Sequence, residues 1–494
     1  MLEIFGYIIL AVYCGALVYI TVFCLMQLQL LWIYRRIDTI GELRSDNGSS
    51  YPIVTIQLPV FNELYVVERL IDNICALDYP SDKLQIQVLD DSTDETLDLT
   101  QKKVDEYQDK GFDIQLIHRK DRTGYKAGAL ANGMKTARGE FIAIFDADFM
   151  PNKDFLLRTL PYFADSKVGV VQTRWEHLNR DYSLVTKLQA FQLNVHFTIE
   201  QSGRQAADYL LQFNGTAGVW RAKAIEDAGG WEADTLTEDL DLSYRAQLKG
   251  WSIKYLEDVG SPAELPAEMN GLKSQQFRWM KGGAETARKM IPSVWRSALS
   301  FSKKMHATIH LLSSTIFVFV FVIGVFSVPL TFLIKPLGID ADYFTIFLIG
   351  LLTIAAVYYV GNARTTWKGE TSFRSIVKFI FLFPLFLSLS MGLSLHNSVA
   401  VIQGYLGRKS SFVRTPKFNI KSIADSISTR GGYLTNKIPL TTVAEGILAF
   451  YFLIAIIAAI YYDDTTFIIF HLLLTFGYGG ICFYSIKHLR STHS

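Results

Sequence analysis

Long apolar runs occupy both ends of the chain, and a mixed polar and apolar segment lies between them. Residues 4–32 are apolar and end at Arg35 and Arg36. Since a helix needs about 20 apolar residues to cross a bilayer, we predict an N-terminal membrane helix within residues 1–36. No basic segment precedes this run and no small-residue cleavage site follows it, which favours a retained helix over a signal peptide. Further apolar runs of spanning length lie near 306–334, 343–361, 440–461 and 465–486.

Charges at the ends of these runs predict their orientation. Basic residues concentrate on the cytosolic side of a membrane, so Arg35 and Arg36 place the end of the first helix in the cytosol. Acidic Asp463 lies in a loop that we place outside, and Lys487 follows the last run on the cytosolic side. The pattern predicts a multi-pass integral membrane protein with five spans. We expect it in the lipid bilayer of a bacterial cell membrane or an endomembrane, with residues 50–292 in the cytosol.

The apolar stretch at residues 376–405 is interpreted differently. Its flanks, which include Arg374 and Arg408, are both basic and therefore both read as cytosolic. About 30 residues are too few to cross a bilayer twice. We therefore predict an interfacial or re-entrant helix within the C-terminal membrane region, residues 293–494. The alternative is a sixth crossing, which would place the basic loop 408–437 outside.

Residues 50–292 have the pattern of an α/β domain. Short apolar runs rich in branched and aromatic residues alternate with helical stretches such as 65–77 and 96–110. This alternation predicts a mostly parallel sheet. The predicted strands are 53–59, 84–89, 114–117, 141–145 and 168–173.

The most informative motif follows the fourth predicted strand. The run Phe141–Phe145 leads directly into Asp146 and Asp148. Residues i and i+2 of a strand share a face, and ligands of open α/β sheets bind at this edge. Two close carboxylates suit a hard cation, Mg²⁺ or Mn²⁺, which would also bind substrate phosphates. The alternative is a turn with two solvated acids.

Polar residues also follow other predicted strands. Asn62 and Glu63 come after the first strand and could hydrogen-bond a base edge. Asp90 and Asp91 end the second strand and could accept hydrogen bonds from a ribose or a ring N–H. Lys126 lies among small residues and offers a point charge to a phosphate. Each of these also has a structural explanation, as turn chemistry, helix capping or a solvated lysine.

Three later motifs complete the candidate site. Small residues around Asn214, Gly215 and Thr216 suit a surface touched by a flat substrate, or a structural turn. Thr237 is a good helix N-cap, with Glu238 and Asp239 in the first turn. A general base at that helix tip, Asp239, could be aimed at an acceptor hydroxyl. On a later helix, Gln275, Arg278 and Trp279 share one face, where Arg can clamp a diphosphate and Trp can stack on a sugar ring.

Composition narrows the classes of function. The 494 residues are 50% hydrophobic and carry a net charge of +1, which gives no case for nucleic-acid binding. The four Cys residues are scattered, so neither zinc nor a disulfide framework is indicated. His306 and His310 have i, i+4 spacing but lack the Glu of a zinc-protease motif.

In this order the motifs resemble those of glycosyltransferase family 2, in its membrane-embedded, cellulose synthase-like branch. The family pattern of Asp, Asp-x-Asp, Thr-Glu-Asp and Gln-x-x-Arg-Trp stands here at 90–91, 146–148, 237–239 and 275–279. The sequence in and around these motifs is similar to that of plant mannan and glucomannan synthases and their xyloglucan-backbone relatives. The similar segments are QVLDDSTDET, GYKAGAL, AIFDADF, FNGTAGVWR and TEDLDL. Phe412, Thr415 and Lys417 resemble the gating-loop motif of cellulose synthases, within 408–421, with Arg414 in place of the usual Val.

The resemblance implies a GT-A-type cytosolic domain joined to helical membrane segments. It implies inverting, metal-dependent transfer of a hexose from UDP-glucose or GDP-mannose to a growing β-linked polysaccharide, with secretion across the membrane. Asp239 would be the base, supported by its neighbours Thr237 and Glu238. Trp279 and the segment 214–216 would hold the acceptor. A glycolipid synthase that adds one sugar to a lipid is the alternative, and a transporter or scaffold with an inactive transferase domain is a third hypothesis.

Overall fold

The structure is a computed structural model that describes residues 2–36, 51–410, 415, 417–420 and 438–490. Its helices, in chain order, are α1 Leu2–Tyr34, α2 Val67–Cys75, α3 Thr96–Asp109, α4 Tyr125–Met134, α5 Phe155–Thr159, α6 Leu184–Val195, α7 Gln201–Ala206, α8 Ala222–Asp227, α9 Glu238–Leu248, α10 Met269–Arg296, α11 Phe301–Leu311, α12 Ile316–Leu333, α13 Leu348–Ala363, α14 Ser372–Gly392, α15 Ser394–Tyr405, α16 Leu440–Tyr461 and α17 Ile468–Arg490. A π-helical turn, His196–Glu200, joins α6 to α7.

One sheet of seven strands organises the described part of residues 51–292. The strands are β1 Val54–Val60, β2 Leu84–Asp90, β3 Ile114–His118, β4 Phe141–Ile144, β5 Val168–His177, β6 Gly218–Arg221 and β7 Ser252–Ala263. Their order is β3-β2-β1-β4-β6-β5-β7. Strands β1 to β4 pair in parallel, so their carboxyl ends meet at one edge. That shared edge is where the polar residues after each strand are brought together.

The sheet is mixed, whereas we expected it to be mostly parallel. Strand β6 runs antiparallel between β4 and β5, while β5 and β7 pair in parallel. The five predicted strands are present, with small shifts at their ends. Strands β6 and β7 were missed because β6 has only four residues and β7 carries Lys254, Glu257 and Asp258 among its apolar positions. Neither shows the apolar run or alternation that identifies a strand.

Apolar packing covers both faces of the sheet. Side chains from α2, such as Leu70 and Ile74, pack on one face with Phe155 of α5. Leu130 of α4 and Leu242 of α9 pack on the other. The domain therefore has three layers. Helix α5, which follows β4, and helix α9, which precedes β7, are both held in place by burial on the sheet.

In the described ranges, six helices are long enough and apolar enough to cross a membrane, by length and composition alone: α1, α12, α13, α14, α16 and α17. The chain is a membrane protein. The span that we predicted near 306–334 begins too early, because residues 306–311 belong to the separate helix α11. The His306 ring stacks on Tyr209 with 3.8 Å between ring centroids. His310 Nδ1 lies 2.8 Å from Tyr244 Oη. Those two contacts tie α11 to the sheet-bearing domain.

The stretch predicted as one interfacial helix, 376–405, forms two helices, α14 and α15. Helix α14 is the candidate span beyond the five that we predicted. It packs closely on α17, where a Cβ on Gly392 would lie 2.4 Å from the backbone of Gly477. It also reaches the sheet-bearing domain, since Phe386 packs against Phe191 of α6. The interfacial placement of this stretch stays a prediction.

Candidate active site

A cavity of about 130 Å³ lies at the carboxyl ends of β1, β2 and β4. Such an edge is where ligands bind in open α/β sheets, because strand ends and the following loops leave a crevice there. Helix α10 and two residues that follow helix α15, Thr415 and Lys417, close the cavity from the other side. The predicted residues that line it are Glu63, Asp91, Lys126, Asp146, Asp148, Gln275, Arg278, Thr415 and Lys417.

Asp146 and Asp148 lie on the turn after β4, because that strand ends at Ile144. Our argument from strand alternation is therefore wrong in detail, although both residues reach the same cavity. Asp146 Oδ1 accepts from Lys126 Nζ at 2.5 Å. Asp148 Oδ2 accepts from Lys417 Nζ at 2.7 Å. Each carboxylate of the pair is thus matched to one lysine.

The two aspartates fit a divalent metal. Both offer hard carboxylate oxygens on the wall of one cavity, and Mg²⁺ and Mn²⁺ prefer such ligands. The ammonium groups of Lys126 and Lys417 already stand against these oxygens, which shows that the position favours positive charge. Asp146 is also held by its backbone N–H, which donates to Thr216 Oγ1 at 2.8 Å.

Lys126 lies between the turn that carries Asp146 and Asp148, called here the aspartate turn, and the predicted base, Asp239. Its Nζ donates to the carbonyl oxygen of Gly215 at 3.0 Å as well as to Asp146. Burial alone would lower the pKa of Lys126, but the carboxylates of Asp146 and Glu238 outweigh burial and raise it. Gly215 has φ +81°, and a Cβ there would lie 2.9 Å from Asp239 Oδ2. Only glycine allows this loop to approach Asp239 so closely.

Asp239 lies in the first turn of α9, beside Glu238. Burial raises the pKa of Asp239 to about 7, the negative charge of Glu238 adds to the rise, and Lys126 opposes it. A carboxyl group with its pKa near neutrality can take up and return a proton during a reaction. Thr237 occupies the N-cap position, as predicted, but its side chain makes no capping bond. Its hydroxyl instead lies 3.0 Å from Thr286 Oγ1 on α10.

Helix α10 contributes the cationic side chain of Arg278 to the wall of the cavity. Its N-terminus is capped by Glu268, which accepts from the Gly271 N–H at 2.7 Å. Arg278 Nη2 donates to Thr415 Oγ1 at 3.0 Å. Burial lowers the pKa of Arg278, and the nearby carboxylates of Asp146 and Glu238 oppose that shift. Gln275 also lines the cavity, whereas Trp279 is half-buried and does not line it.

Two of the predicted nucleotide-binding residues shape loops and do not line the cavity. Asp90 is fully buried, and its Oδ1 accepts from the Ser92 N–H at 2.7 Å. Asn62 has φ +54°, and its Oδ1 accepts from the Thr93 N–H at 2.8 Å. Their neighbours, Glu63 and Asp91, line the cavity instead. These contacts join the loops after β1 and β2.

Comparison with known proteins agrees with these motifs. Residues 52–282 match the model of a family described as glycosyltransferase-like family 2. The chain is 36% identical over 382 residues to glucomannan 4-beta-mannosyltransferase 2 of Arabidopsis thaliana, a match that covers 75% of this chain and 68% of that protein. It is 40% identical over 326 residues to a probable glucomannan 4-beta-mannosyltransferase 4 of Oryza sativa, covering 64% of this chain and 58% of the relative. The chain belongs to glycosyltransferase family 2, in its cellulose synthase-like branch.

A solved structure shares the fold of this chain. The structure of a mannosyltransferase from Pyrobaculum calidifontis, in complex with GDP-Man and Mn²⁺, superposes with a TM-score of 0.53. The match covers 83% of this chain and 100% of that one, at 18% identity. The predicted GT-A-type domain joined to membrane helices is confirmed. The chain spans between about half and two thirds of the length of the first curated relatives that it matches.

Two residues that the sequence analysis did not single out also line the cavity. The Arg122 guanidinium lies 3.2 Å from the centroid of the Phe61 ring, and both residues line the cavity. Arg122 directly precedes the motif around Lys126, so its position could have singled it out. The predicted Phe412 lies outside the described residues. Thr415 and Lys417 reach the cavity, and Phe418 N donates to Glu264 Oε1 at 2.9 Å.

Proposed function

We propose that this glycosyltransferase transfers mannose from GDP-mannose to the end of a growing β-1,4-linked glycan, with inversion at the anomeric carbon. The observation that carries the proposal is the placement of Asp239, with its raised pKa, beside Lys126 and the aspartate turn. The donor is argued from relatives named glucomannan mannosyltransferases and from the GDP-Man complex of the structural neighbour. UDP-glucose is the second candidate donor.

Residues that line the cavity and Asp239, which lies beside Lys126, divide the chemistry between them. The acceptor hydroxyl oxygen attacks the anomeric carbon, its proton passes to the Asp239 carboxylate, and the bond from that carbon to the diphosphate oxygen breaks. Negative charge then develops on the leaving diphosphate. Lys126 and Arg278 are placed to stabilise it, and fixed cations in a partly buried site do so without reorganisation.

Asp146 and Asp148 would hold a divalent metal, Mn²⁺ or Mg²⁺, which adds positive charge at the diphosphate. Glu63 and Asp91 line the same cavity and would bind the base and ribose. The loop 214–216 and Trp279 would hold the acceptor on the Asp239 side. Basic residues at the helix ends support a cytosolic catalytic domain, from which a growing polymer would leave across the membrane.

Product analysis tests the proposal. Purified protein with Mn²⁺ is given GDP-mannose, UDP-glucose and UDP-N-acetylglucosamine separately, and nucleotide release and product size are measured. We expect release from GDP-mannose and a long product that β-mannanase digests. A β-glucanase-sensitive product from UDP-glucose would correct the donor. A solvent-extractable product with one sugar would replace the proposal with a glycolipid synthase.

A further inference from the structure

The membrane helix α1 makes a polar contact with the catalytic domain beside the candidate acceptor loop. Gln27, about two turns before the end of α1, is buried, and its Nε2 donates to Glu200 Oε1 at 2.7 Å. Glu200 lies in the π-helical turn between α6 and α7. A buried amide within an apolar helix is costly unless it is hydrogen-bonded. This pair is therefore a specific junction between membrane and domain.

The same carboxylate continues the chain of contacts inward. Glu200 Oε2 lies 2.8 Å from His196 Nδ1. Burial alone would raise the pKa of Glu200, but contacts with His196 and the charge of Arg204 hold it below its usual range. The carboxylate is therefore ionised and can only accept, so Nδ1 of His196 carries the hydrogen. The π-helical turn sets both residues at its two ends, and such turns often mark functional sites.

The other ring nitrogen of His196 reaches the acceptor loop. His196 Nε2 lies 2.9 Å from the side-chain amide of Asn214. Since Nδ1 carries the hydrogen, Nε2 accepts, and the Asn214 amide nitrogen, which has no other hydrogen-bond partner among the described residues, is the group that donates to it. The backbone N–H of Asn214 donates to Gln172 Oε1 at 2.8 Å, which fixes the main chain at that point. The next residue, Gly215, accepts from Lys126 Nζ and lies so near Asp239 that a Cβ on it would be 2.9 Å from Asp239 Oδ2. A chain of contacts thus leads from α1 to the residue before Gly215. Its members are Gln27, Glu200, His196 and Asn214.

We propose that His196 is a positioning residue for the acceptor, acting through Asn214, and that α1 holds it in place through Gln27 and Glu200. The inference rests on the proposed function, which assigns acceptor binding to the loop 214–216. An orientation role explains why this junction is polar, since an apolar contact would join helix and domain without the cost of burying charge. It also predicts that a change inside the membrane helix alters acceptor use and leaves donor binding unchanged.

A second polar junction on α1 provides a matched control. Tyr34 Oη donates to Glu257 Oε1 at 3.0 Å, and Ser202 Oγ donates to the other oxygen of Glu257 at 2.7 Å. This junction joins the same helix to β7 and α7, away from Asn214. Tyr34→Phe therefore removes a hydrogen bond of similar kind without touching the contacts that lead to the acceptor loop.

The test measures steady-state kinetics of the full chain with GDP-mannose and soluble β-1,4-mannotetraose, following nucleotide release and chain extension separately. For His196→Phe we expect the acceptor KM to rise about tenfold, the scale of losing one buried hydrogen bond, while the donor KM stays within about twofold. Gln27→Leu should raise the acceptor KM about threefold, and Tyr34→Phe should leave it unchanged. His196→Gln, which keeps an amide facing Asn214, should recover most of the loss.

Three results would overturn the inference: an equal rise in the donor KM, equal effects of Gln27→Leu and Tyr34→Phe, or an effect confined to the melting temperature. Melting temperatures of all variants are therefore measured alongside. A wild-type protein that transfers from no donor would instead refute the proposed function. A wild type that extends the tetraose normally, with an unaffected His196→Phe variant, would refute only the role of His196.

Discussion

Two lysines neutralise the two aspartates of the metal-type motif, and they come from different parts of the molecule. Lys126 belongs to α4, which packs on the sheet, and it reaches Asp146 from within the catalytic domain. Lys417 lies beyond helix α15, in the C-terminal region of the chain, and reaches Asp148 across 269 positions of sequence. Both bonds are short and both lysines are mostly buried. The contacts are alike, but only the first is anchored to the rigid sheet.

The difference indicates different roles. Lys126 also holds the Gly215 carbonyl and faces Glu238 and Asp239, so it is part of the fixed electrostatics of the site. Lys417 also donates to the Glu264 carbonyl oxygen at 2.9 Å and closes the cavity from the membrane side. A metal bound at Asp148 would compete with the ammonium of Lys417 for the same oxygen. We therefore expect the fixed lysine to support catalysis and the second to set how readily a metal binds at Asp148.

The largest effect should come from the fixed lysine. Lys126→Met removes a cation from the diphosphate side and raises the pKa of Asp239 further, because Lys126 opposes that rise. We expect kcat/KM to fall by about 10²–10³, the usual cost of removing one charge-stabilising donor. Lys135→Met, at the exposed end of the same helix, is the control and should retain wild-type rates. Equal activity of the two variants would contradict a fixed role for Lys126.

A smaller and opposite effect on metal binding should follow from the second lysine. In Lys417→Met, Asp148 loses its competing cation, so free Mn²⁺ should bind about three- to tenfold tighter in the absence of nucleotide, as a lost charge contact implies. Electron paramagnetic resonance of bound Mn²⁺ measures this without turnover. The exposed Lys409 provides the control variant, Lys409→Met. Weaker Mn²⁺ binding in Lys417→Met would mean that the lysine assists the metal.

The smallest effect concerns the pH dependence of the base. Asp239 must be ionised to accept a proton, so kcat/KM should rise with pH and level off above about 7. Glu238 raises the pKa of Asp239 by its negative charge. Replacing that charge in Glu238→Gln should move the rising limb to lower pH by up to about one unit, since neighbouring charges shift a pKa on this scale. If the rising limb of the kcat/KM profile does not move, a group other than Asp239 controls that limb.

The sequence predicts the surroundings of Lys126 better than it predicts the contact made by Lys417. Asp146 and Asp148 follow directly after the apolar strand β4, and Lys126 and Asp239 lie in the first turns of α4 and α9, within motifs that the sequence analysis singled out, so their meeting at one sheet edge could be foreseen. The meeting of Lys417 with Asp148 could not, because nothing local in either segment records a contact between positions so far apart. His196 was missed for the same reason, since it contacts Asn214 directly and Gln27 only through Glu200, and these residues belong to separate elements.

Two further errors arise from contacts between separate elements. The start of the span near 306–334 was misplaced because residues 306–311 are apolar enough to extend the run, yet His306 and His310 pack on Tyr209 and Tyr244. Thr237 was predicted to cap α9, but α10 presses so closely on it that a Cβ on Gly282 would lie 2.6 Å from Thr237 Cγ2. The Thr237 hydroxyl bonds to Thr286 on that helix instead. Tertiary packing decided both positions.

The central claim is that Asp239 takes the acceptor proton, and the variant Asp239→Asn tests it most directly. The substitution keeps the size of the side chain and removes its basicity. Sugar transfer and nucleotide binding are measured on the same preparation with Mn²⁺, beside the wild type. The account predicts a loss of about 10²–10⁴ in kcat, the range of general-base catalysis, with GDP affinity within about twofold of wild type. Full turnover of Asp239→Asn would contradict it.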